Sequence, residues 1–295
     1  MRKTAAVVVT YNRKELLKEC IAHLQSQTVP VDILVIDNAS TDGTADLFAD
    51  SAEHLYYFNT GANLGGAGGF NFGMRKAVEA GYEYVWVMDD DTLPNADAHE
   101  KLMEADSLVG NYGWFSSLAL WTDGNECKMN RQKIKGKEFE YFPLMQHGII
   151  SAEQASFVSL FLKSETVLQY GLPITDFFIW GDDIEFTRRL SVRNHLPCFL
   201  VGQSVVVHAM KNNNGSRIAT DVPERIDRYK YAFRNEGYFY RKEGLKGICY
   251  YLAKCAKNIL EILFTKNNKK FKRIKTVVKS MFKSLAFNPG IEFIK

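Results

Sequence analysis

Hydrophobic and polar positions alternate along the first 120 residues in a way that predicts strands and helices in turn. Short apolar runs that predict strands occur at residues 5–10, 33–36, 55–58 and 84–88. The first of them is rich in β-branched residues and suits a buried parallel strand. Apolar residues on one helical face separate the first two runs, at Leu16, Leu17, Cys20, Ile21 and Leu24. A second helix is predicted over residues 70–80. The alternation predicts an α/β fold with a parallel sheet between helices.

Polar residues collect directly after each predicted strand. They are residues 10–13, the turn 37–43, the glycine-rich stretch 63–69 and the carboxylate triplet 89–91. In parallel α/β sheets ligands bind beyond the carboxyl ends of the strands. We therefore expect these four loops to form one site.

Later in the chain the pattern is less regular. Residues 157–170 are expected to be helical or mixed, and residues 198–207 to return as a strand. From residue 249 to 287, apolar residues recur at helical spacing with lysines between them. This last segment is predicted to be an amphipathic helix.

The net charge of +3 hides an asymmetry along the chain. Residues 241–295 carry 14 Lys/Arg and 3 Asp/Glu, a balance of +11, which leaves −8 for residues 1–240. We interpret residues 1–240 as a catalytic domain and residues 241–295 as a basic amphipathic tail. Such a tail favours docking on an anionic membrane surface. A solvated helix packed on the domain is the alternative, and nucleic acid is disfavoured because the pattern is amphipathic as well as basic.

Three further features concern the compartment. Five cysteines stand without CxxC pairs, which predicts reduced thiols. The apolar run near the N-terminus is too short for a signal peptide, and no stretch has the length of a membrane span. We expect a cytoplasmic protein, peripheral on the inner face of the membrane.

A carboxylate triplet, Asp89, Asp90 and Asp91, directly follows the fourth strand. Adjacent carboxylates repel one another, so the arrangement costs stability unless a cation is present. In an extended chain residues i and i+2 point the same way, so Asp89 and Asp91 can face one site. Hard oxygen ligands suit Mg²⁺ or Mn²⁺. The alternative is a solvated acidic turn before a helix near Pro94.

A second acid pair, Asp182 and Asp183, follows Trp180 and Gly181. Adjacent acids near an aromatic residue can supply a general base whose pKa is raised by its neighbour. The alternative is that both acids favour a helix N-terminus through its dipole. His208 ends a predicted strand, where a lone histidine is more often structural, although a neutral imidazole can complete a carboxylate metal site.

Four motifs follow one another along the chain: a strand with TYNR, a strand with IDNASTDGT, the stretch NLGG, and a strand with DDD. This order resembles the inverting family 2 glycosyltransferases, and the resemblance covers residues 4–240. The longer stretch NLGGAGGFNFGM is most similar to the galactofuranosyltransferase branch, and some rhamnosyltransferases share much of it. The resemblance implies a GT-A fold, a Rossmann-like mixed, mostly parallel sheet flanked by helices. The tail adds basic amphipathic helices to it.

The resemblance also implies roles for the acids. Asp89 would approach the donor ribose and the metal, Asp90 would lie on the donor side, and Asp91 would bind the metal. His208 matches the metal-binding histidine of the family and its His-x-Met context. Asp183 matches the catalytic base.

On the acceptor side, Asp182 would position the acceptor hydroxyls and assist catalysis, and Trp180 would stack on a sugar ring. The galactofuranosyltransferase branch has Trp directly before the acid pair, whereas Gly181 intervenes here.

Donor contacts follow from the same resemblance. The loop of Thr10, Tyr11, Asn12 and Arg13 would surround the nucleotide base and diphosphate; a capped helix N-terminus, with Asn12 as the cap, is compatible with this role. Asp37 would accept a hydrogen bond from a pyrimidine, or be an exposed turn acid.

The glycine-rich stretch would bring Asn63, Gly65 and Gly66 against the donor diphosphate-sugar. A dinucleotide fingerprint is disfavoured because Asn71 stands where its third glycine belongs.

The implied reaction is metal-dependent, inverting transfer of galactofuranose from UDP-galactofuranose onto a lipid-linked or polysaccharide acceptor in cell-surface glycan synthesis. The expected cofactor is Mn²⁺ or Mg²⁺. The alternatives are a rhamnosyltransferase using dTDP-rhamnose, a nucleotidyltransferase and an inactive glycan-binding scaffold. No nucleic acid partner is expected.

Overall fold

The computed structural model describes residues 3–50, 53–135 and 142–295, which form one sheet between layers of helices. The strands are β1 (Thr4–Thr10), β2 (Asp32–Asp37), β3 (Leu55–Asn59), β4 (Tyr84–Asp89), β5 (Thr92–Pro94), β6 (Phe115–Trp121), β7 (Lys133–Ile134), β8 (Ile149–Gln154), β9 (Leu160–Lys163) and β10 (Phe199–His208). The α-helices are α1 (Lys14–Gln25), α2 (Gly65–Glu79), α3 (Ala98–Val109), α4 (Phe142–Met145), α5 (Ser164–Tyr170), α6 (Asp182–Arg188), α7 (Tyr229–Lys242), α8 (Gly244–Phe264) and α9 (Lys270–Ala286).

The sheet is mixed, as the resemblance implies, whereas the alternation of elements alone predicted a parallel sheet. Its strand order is β3-β2-β1-β4-β9-β6-β10-β8-β7, with β5 paired to β10. The first four strands in this order run parallel, and so do β6 and β10. Strand β9 is antiparallel to both β4 and β6 and joins the two parallel parts.

Strand β1 lies at the centre of the core, with all seven of its residues buried. Val7 and Val9 face α2, and Ala6 and Val8 face the side covered by α1 and α3. A side chain on α2 at Gly73 would place its Cβ 2.3 Å from Val7. The glycines of α2 therefore allow this helix to pack directly on the sheet.

The start of α2 differs from the prediction, because the helix begins at Gly65 rather than near Phe70. Two contacts replace the missing intrahelical partners at this end. The amide of Gly65 donates to Asn63 Oδ1 (2.9 Å), and the amide of Ala67 donates to the carbonyl of Phe178 (3.2 Å). Tertiary contacts thus hold glycines in a helix that their intrinsic propensity disfavours.

The expected cap of α1 is also wrong. Asn12 has a φ of 54°, and its Oδ1 accepts from the amide of Thr41 (2.7 Å) instead of a helix amide. Asn12 therefore ties the loop after β1 to the loop after β2.

The helices after residue 240 pack on α7. Tyr251 of α8 and Val277 of α9 are buried in a cluster with Phe233 and Tyr238 of α7. The chain end then returns to the first part of the protein, where the Glu292 carboxylate lies 2.8 Å from the Arg75 guanidinium.

Two sequence expectations are settled by the described residues. None of the helices in these ranges is long and apolar enough to cross a membrane. All five cysteines are free thiols, as predicted.

Candidate functional site

The parallel pairing of the first strands brings the predicted loops to one edge of the sheet. Thr10 lies opposite Asp37, and Val9 lies opposite Asp89. The loops after β1, β2 and β4 therefore converge, because these strands are adjacent and end at the same level.

Arg13 and Thr10 hold two acids of the triplet. The hydroxyl of Thr10 donates to Asp90 Oδ2 (2.7 Å). The Arg13 guanidinium donates to Asp91 Oδ2 (2.6 Å) and to Asp90 Oδ1 (3.2 Å). The loop after β1 thus supplies a cation and a hydroxyl to the carboxylates at the end of β4.

His208 reaches the triplet from the other part of the sheet. Its strand, β10, pairs antiparallel with β5, which follows the triplet directly. The amide of Ala209 donates to the carbonyl of Asp91 (2.8 Å), and His208 Nε2 lies 3.0 Å from Asp91 Oδ1. Ligand atoms of Asp89, Asp91 and His208 all lie within 4.8 Å of one another. The predicted metal set is therefore assembled in the structure, although 117 residues separate Asp91 from His208.

The electrostatics of this group favour a cation. Burial, with the charge of Asp91, raises the pKa of Asp89 to about 8. Burial also raises the pKa of Asp90 to about 6 against the opposing charge of Arg13. Burial alone would raise the pKa of Asp91, but the hydrogen bonds and charges of His208 and Arg13 together outweigh burial and lower that pKa. Carboxylates that resist ionisation side by side are stabilised when a divalent cation neutralises them.

The histidine is oriented by a residue that the sequence did not indicate. His208 Nδ1 lies 2.7 Å from Asn130 Oδ1, which also accepts a hydrogen bond from Cys127 Sγ (2.9 Å). A carbonyl oxygen only accepts, so Nδ1 carries the proton and Nε2 is directed at the carboxylates. An oxygen and nitrogen donor set of this kind fits a divalent metal such as Mn²⁺ or Mg²⁺.

The acid pair begins α6 after a loop with unusual backbone geometry. Phe178, Trp180 and Gly181 have φ values of 62°, 64° and 87°. The fully buried side chain of Asn235, on α7, donates to the carbonyl of Trp180 (2.8 Å) and to that of Phe177 (3.0 Å). These bonds stabilise a conformation that non-glycine residues rarely adopt.

Asp182 lies against the start of α2. A Cβ at Gly66 would be 4.0 Å from Asp182 Oδ2, and the neighbouring carbonyl of Phe178 accepts from α2. Burial, the charge of Asp183 and the charge of Asp89 raise the pKa of Asp182 well above its ordinary value. Asp182 therefore lies next to the glycine-rich segment, and the charge of Asp89 in the carboxylate triplet contributes to its raised pKa.

Asp183 has the properties of a general base. Burial raises its pKa to about 6, while the amide of Ile184 donates to its Oδ1 (2.7 Å) and opposes this rise. A carboxylate with a pKa near neutrality is mostly ionised at pH 7 yet accepts a proton readily.

The predicted donor residues occupy different environments. Tyr11 is 44% exposed at the rim. Asp37 is fully buried, and its oxygens accept from the hydroxyl of Tyr57 (2.6 Å) and the amide of Ser40 (2.9 Å). Asp37 is therefore not an exposed turn acid, and a nucleobase would have to use its remaining lone pairs.

Trp180 is half-buried by side chains of the protein itself. Its ring meets that of Tyr229 edge-on, with centroids 5.0 Å apart, and the Arg225 guanidinium lies 5.7 Å from its centroid. The Trp180 ring therefore packs against the first residue of α7.

The sequence of this chain is similar to those of known glycosyltransferases. The family model "Glycosyl transferase family 2" matches residues 5–107. Galactofuranosyltransferase GlfT1 of Mycolicibacterium smegmatis is 29% identical over 259 residues, which is 82% of this chain and 84% of the relative.

Two solved structures share the fold. The mannosyltransferase PcManGT from Pyrobaculum calidifontis, in complex with GDP-Man and Mn²⁺, has a TM-score of 0.59 and 16% identity over 98% of this chain and 76% of its own. Staphylococcus aureus TarS 1-349 in complex with UDP has a TM-score of 0.53 and 14% identity, over 97% of this chain and 72% of its own. In a longer TarS structure the match spans 44% of that chain.

Proposed function

This chain is a glycosyltransferase that carries a family 2 domain on a GT-A fold, and from that premise we propose that it transfers galactofuranose from UDP-galactofuranose with inversion. The acceptor would be a lipid-linked or polysaccharide glycan. The observation that carries the proposal is the convergence of Asp89, Asp91, His208 and the acid pair at the strand ends.

In the proposed reaction Asp183 takes the proton of an acceptor hydroxyl. The hydroxyl oxygen forms a bond to the anomeric carbon as the bond from that carbon to the diphosphate oxygen breaks. UDP leaves, and the anomeric configuration inverts in this single displacement. Asp182 orients the acceptor hydroxyls, and Trp180 borders the acceptor side of the same loop.

The donor side is proposed from the strand-end loops. Tyr11 and Asp37 would contact the base, and Arg13 would pair with phosphate once it releases Asp91. Asn63, Gly65 and Gly66 form the start of α2, whose N-terminal amides and dipole favour an anionic diphosphate.

Asp89, Asp91 and His208 would hold Mn²⁺ or Mg²⁺. The ion would stabilise negative charge on the leaving diphosphate. Asp90, held by Thr10 and Arg13, keeps the triplet in place.

The proposed sugar is supported by the GlfT1 relative, and the proposed uridine nucleotide is compatible with the UDP-bound TarS structure. A test is donor turnover with Mn²⁺ across UDP-galactofuranose, dTDP-rhamnose, GDP-mannose and UDP-N-acetylglucosamine. We expect turnover of UDP-galactofuranose that stops with EDTA and returns with excess Mn²⁺.

The other outcomes would each contradict one part of the proposal. Turnover of dTDP-rhamnose alone would contradict the proposed donor sugar, and turnover that resists EDTA would contradict the proposed metal dependence. Release of pyrophosphate from a nucleoside triphosphate and a sugar phosphate would instead indicate a nucleotidyltransferase. Binding of glycan without turnover of any donor would indicate an inactive scaffold.

Asn130 gives a test of the metal site that does not depend on activity. Replacing Asn130 by Ala removes the acceptor that orients His208, so we expect Mn²⁺ affinity in the presence of UDP to fall by about 10–100-fold. Calorimetric titration of Mn²⁺ measures this change. The exposed Asn125→Ala is the matched control, and equal affinities for both variants would refute the role of Asn130.

The place of action is proposed from residues 241–295, which we interpret as a segment that docks the catalytic residues 1–240 on an anionic membrane surface. Docking of this kind would bring the strand-end site to a lipid-linked acceptor at the inner face of the membrane.

A further inference from the structure

Helices α8 and α9 form a hairpin with one covered side. The inner side packs on α7 and on its partner helix, and its buried residues are Gly247, Tyr251, Cys255, Ile262, Arg273, Val277, Ser280 and Ser284. The opposite side of each helix faces solvent.

This outward side is apolar. On α8, Leu245 is 80% exposed and Phe264 is 84% exposed; on α9, Phe271, Phe282 and Leu285 are 80%, 60% and 66% exposed. Soluble proteins seldom leave several large apolar side chains exposed on adjoining turns without a partner. The exposure therefore points to a surface that is covered during function.

The two rows of apolar residues adjoin one another. A cavity of about 250 Å³ lies between the helices, and Leu252 of α8 lines it together with Phe282 and Leu285 of α9. The exposed residues thus form one apolar strip across the hairpin rather than two separate patches.

Exposed lysines lie on both helices of the hairpin. Lys275, Lys279 and Lys283 recur every four residues on α9, next to the row of Phe271 and Phe282. All three lysines are exposed, and α9 contains no acidic residue. On α8, Lys246 and Lys257 are exposed, and Lys257 Nζ lies 3.9 Å from the Glu261 carboxylate.

We propose that this outward face of the α8–α9 hairpin is the docking surface for an anionic lipid bilayer. The apolar strip enters the interface between headgroups and acyl chains, and the lysine rows contact lipid phosphates. A second copy of this chain fits less well, because its identical lysine rows would repel the first. Nucleic acid would use the lysines but leave the apolar strip exposed.

The proposal gives residues 241–295 a specific orientation on the membrane. Its consequence, that docking delivers the active site to a lipid-linked acceptor, rests on the proposed function. The docking itself depends on the hairpin alone. Donor hydrolysis in solution is therefore expected to be unchanged by substitutions on this surface.

The test is co-sedimentation of the full chain with vesicles of phosphatidylcholine alone and of phosphatidylcholine mixed with phosphatidylglycerol. We expect binding to the anionic vesicles only, weakened by salt. Changing Lys275, Lys279 and Lys283 together to Gln should weaken that binding by about 100-fold, since each lysine near the surface contributes about 1 kcal/mol.

A second variant tests the apolar strip. Phe271→Ser with Phe282→Ser should weaken binding to the same vesicles by at least about tenfold through lost apolar burial. The matched control is Leu108→Ser with Leu168→Ser, which removes exposed leucines (49% and 45%) from α3 and α5. Its binding should equal that of the unchanged chain.

Two results would overturn the proposal. One is equal vesicle binding by the Phe271/Phe282 variant and its control. The other is a dimer in size-exclusion chromatography that only the Phe271/Phe282 variant dissociates, which would assign the strip to a second copy. Because donor hydrolysis is measured separately, neither result would affect the glycosyltransferase assignment.

Discussion

Replacing Asp183 by Asn is expected to lower kcat for sugar transfer by about 10³-fold, because general-base catalysis typically contributes about 10²–10⁴-fold. The amide keeps the size of the side chain and its place beside Ile184, but it takes no proton from the acceptor. Donor binding should be nearly unchanged, since the residues proposed to bind the donor lie on other loops. The measurement is steady-state transfer kinetics with UDP-galactofuranose, Mn²⁺ and an acceptor glycan.

The pH dependence of sugar transfer provides a second test of Asp183. The pKa of Asp183 is raised to about 6, and the base is active only when ionised. Transfer by the unchanged chain should therefore decline as the pH falls through about 6, and the residual activity of the Asn variant should lack this decline.

Asp176→Asn is the matched control for Asp183→Asn. Asp176 is an exposed residue seven positions earlier, in the segment before the same loop. The control should keep near-full activity. Strong activity in the Asp183 variant, within about tenfold of the control, would move the base role to another group.

The second large effect is expected from Gly65→Ala. Gly65 has a φ of 71°, and a Cβ there would lie 2.0 Å from the carbonyl oxygen of Phe178. The start of α2 and the loop that carries the acid pair cannot both keep their positions. A displacement of about 1 Å in a site costs about 10²-fold in rate, so we expect at least that loss of transfer.

Gly61→Ala separates the clash from the cost of the backbone conformation. Gly61 has a similar φ of 74°, but a Cβ there would meet nothing within 4 Å. Both variants should lose about 1–2 kcal/mol of unfolding free energy for the left-handed conformation, and Gly65→Ala should lose more. Thermal unfolding and transfer kinetics of the pair measure this difference. If both variants behave alike, the contact between Gly65 and Phe178 does not matter for the site.

The apolar runs predicted β1 to β4 and β10, whereas β5 to β9 were not predicted as strands. Predicted strand 5–10 is β1 (Thr4–Thr10), and predicted strand 198–207 is β10 (Phe199–His208). Strands that are buried on both faces can be recognised from the sequence, because every position must be apolar when helices cover both faces of a sheet. Residues 157–170, expected to be helical or mixed, divide into β9 and α5.

Helix starts were harder to predict than strands. The glycine-rich stretch indicated a loop, yet it forms the first turns of α2 because Asn63 and Phe178 accept its free amides. Local propensity favours the loop, and the contact with Phe178, more than one hundred residues away, reverses that preference together with the local bond to Asn63.

The sequence by itself determined the fold class, the position of the carboxylates after a buried strand and the presence of a second pair of adjacent acids. These features are local, since they depend on side-chain periodicity and on neighbouring residues. Only the tertiary structure decided that Asn130 orients His208, that Asn235 holds the loop before Asp182, and which side of α8 and α9 stays exposed. Each of these depends on the path of the chain between residues distant in sequence, and hydrogen bonds of that kind leave no periodic signal in the residues that make them.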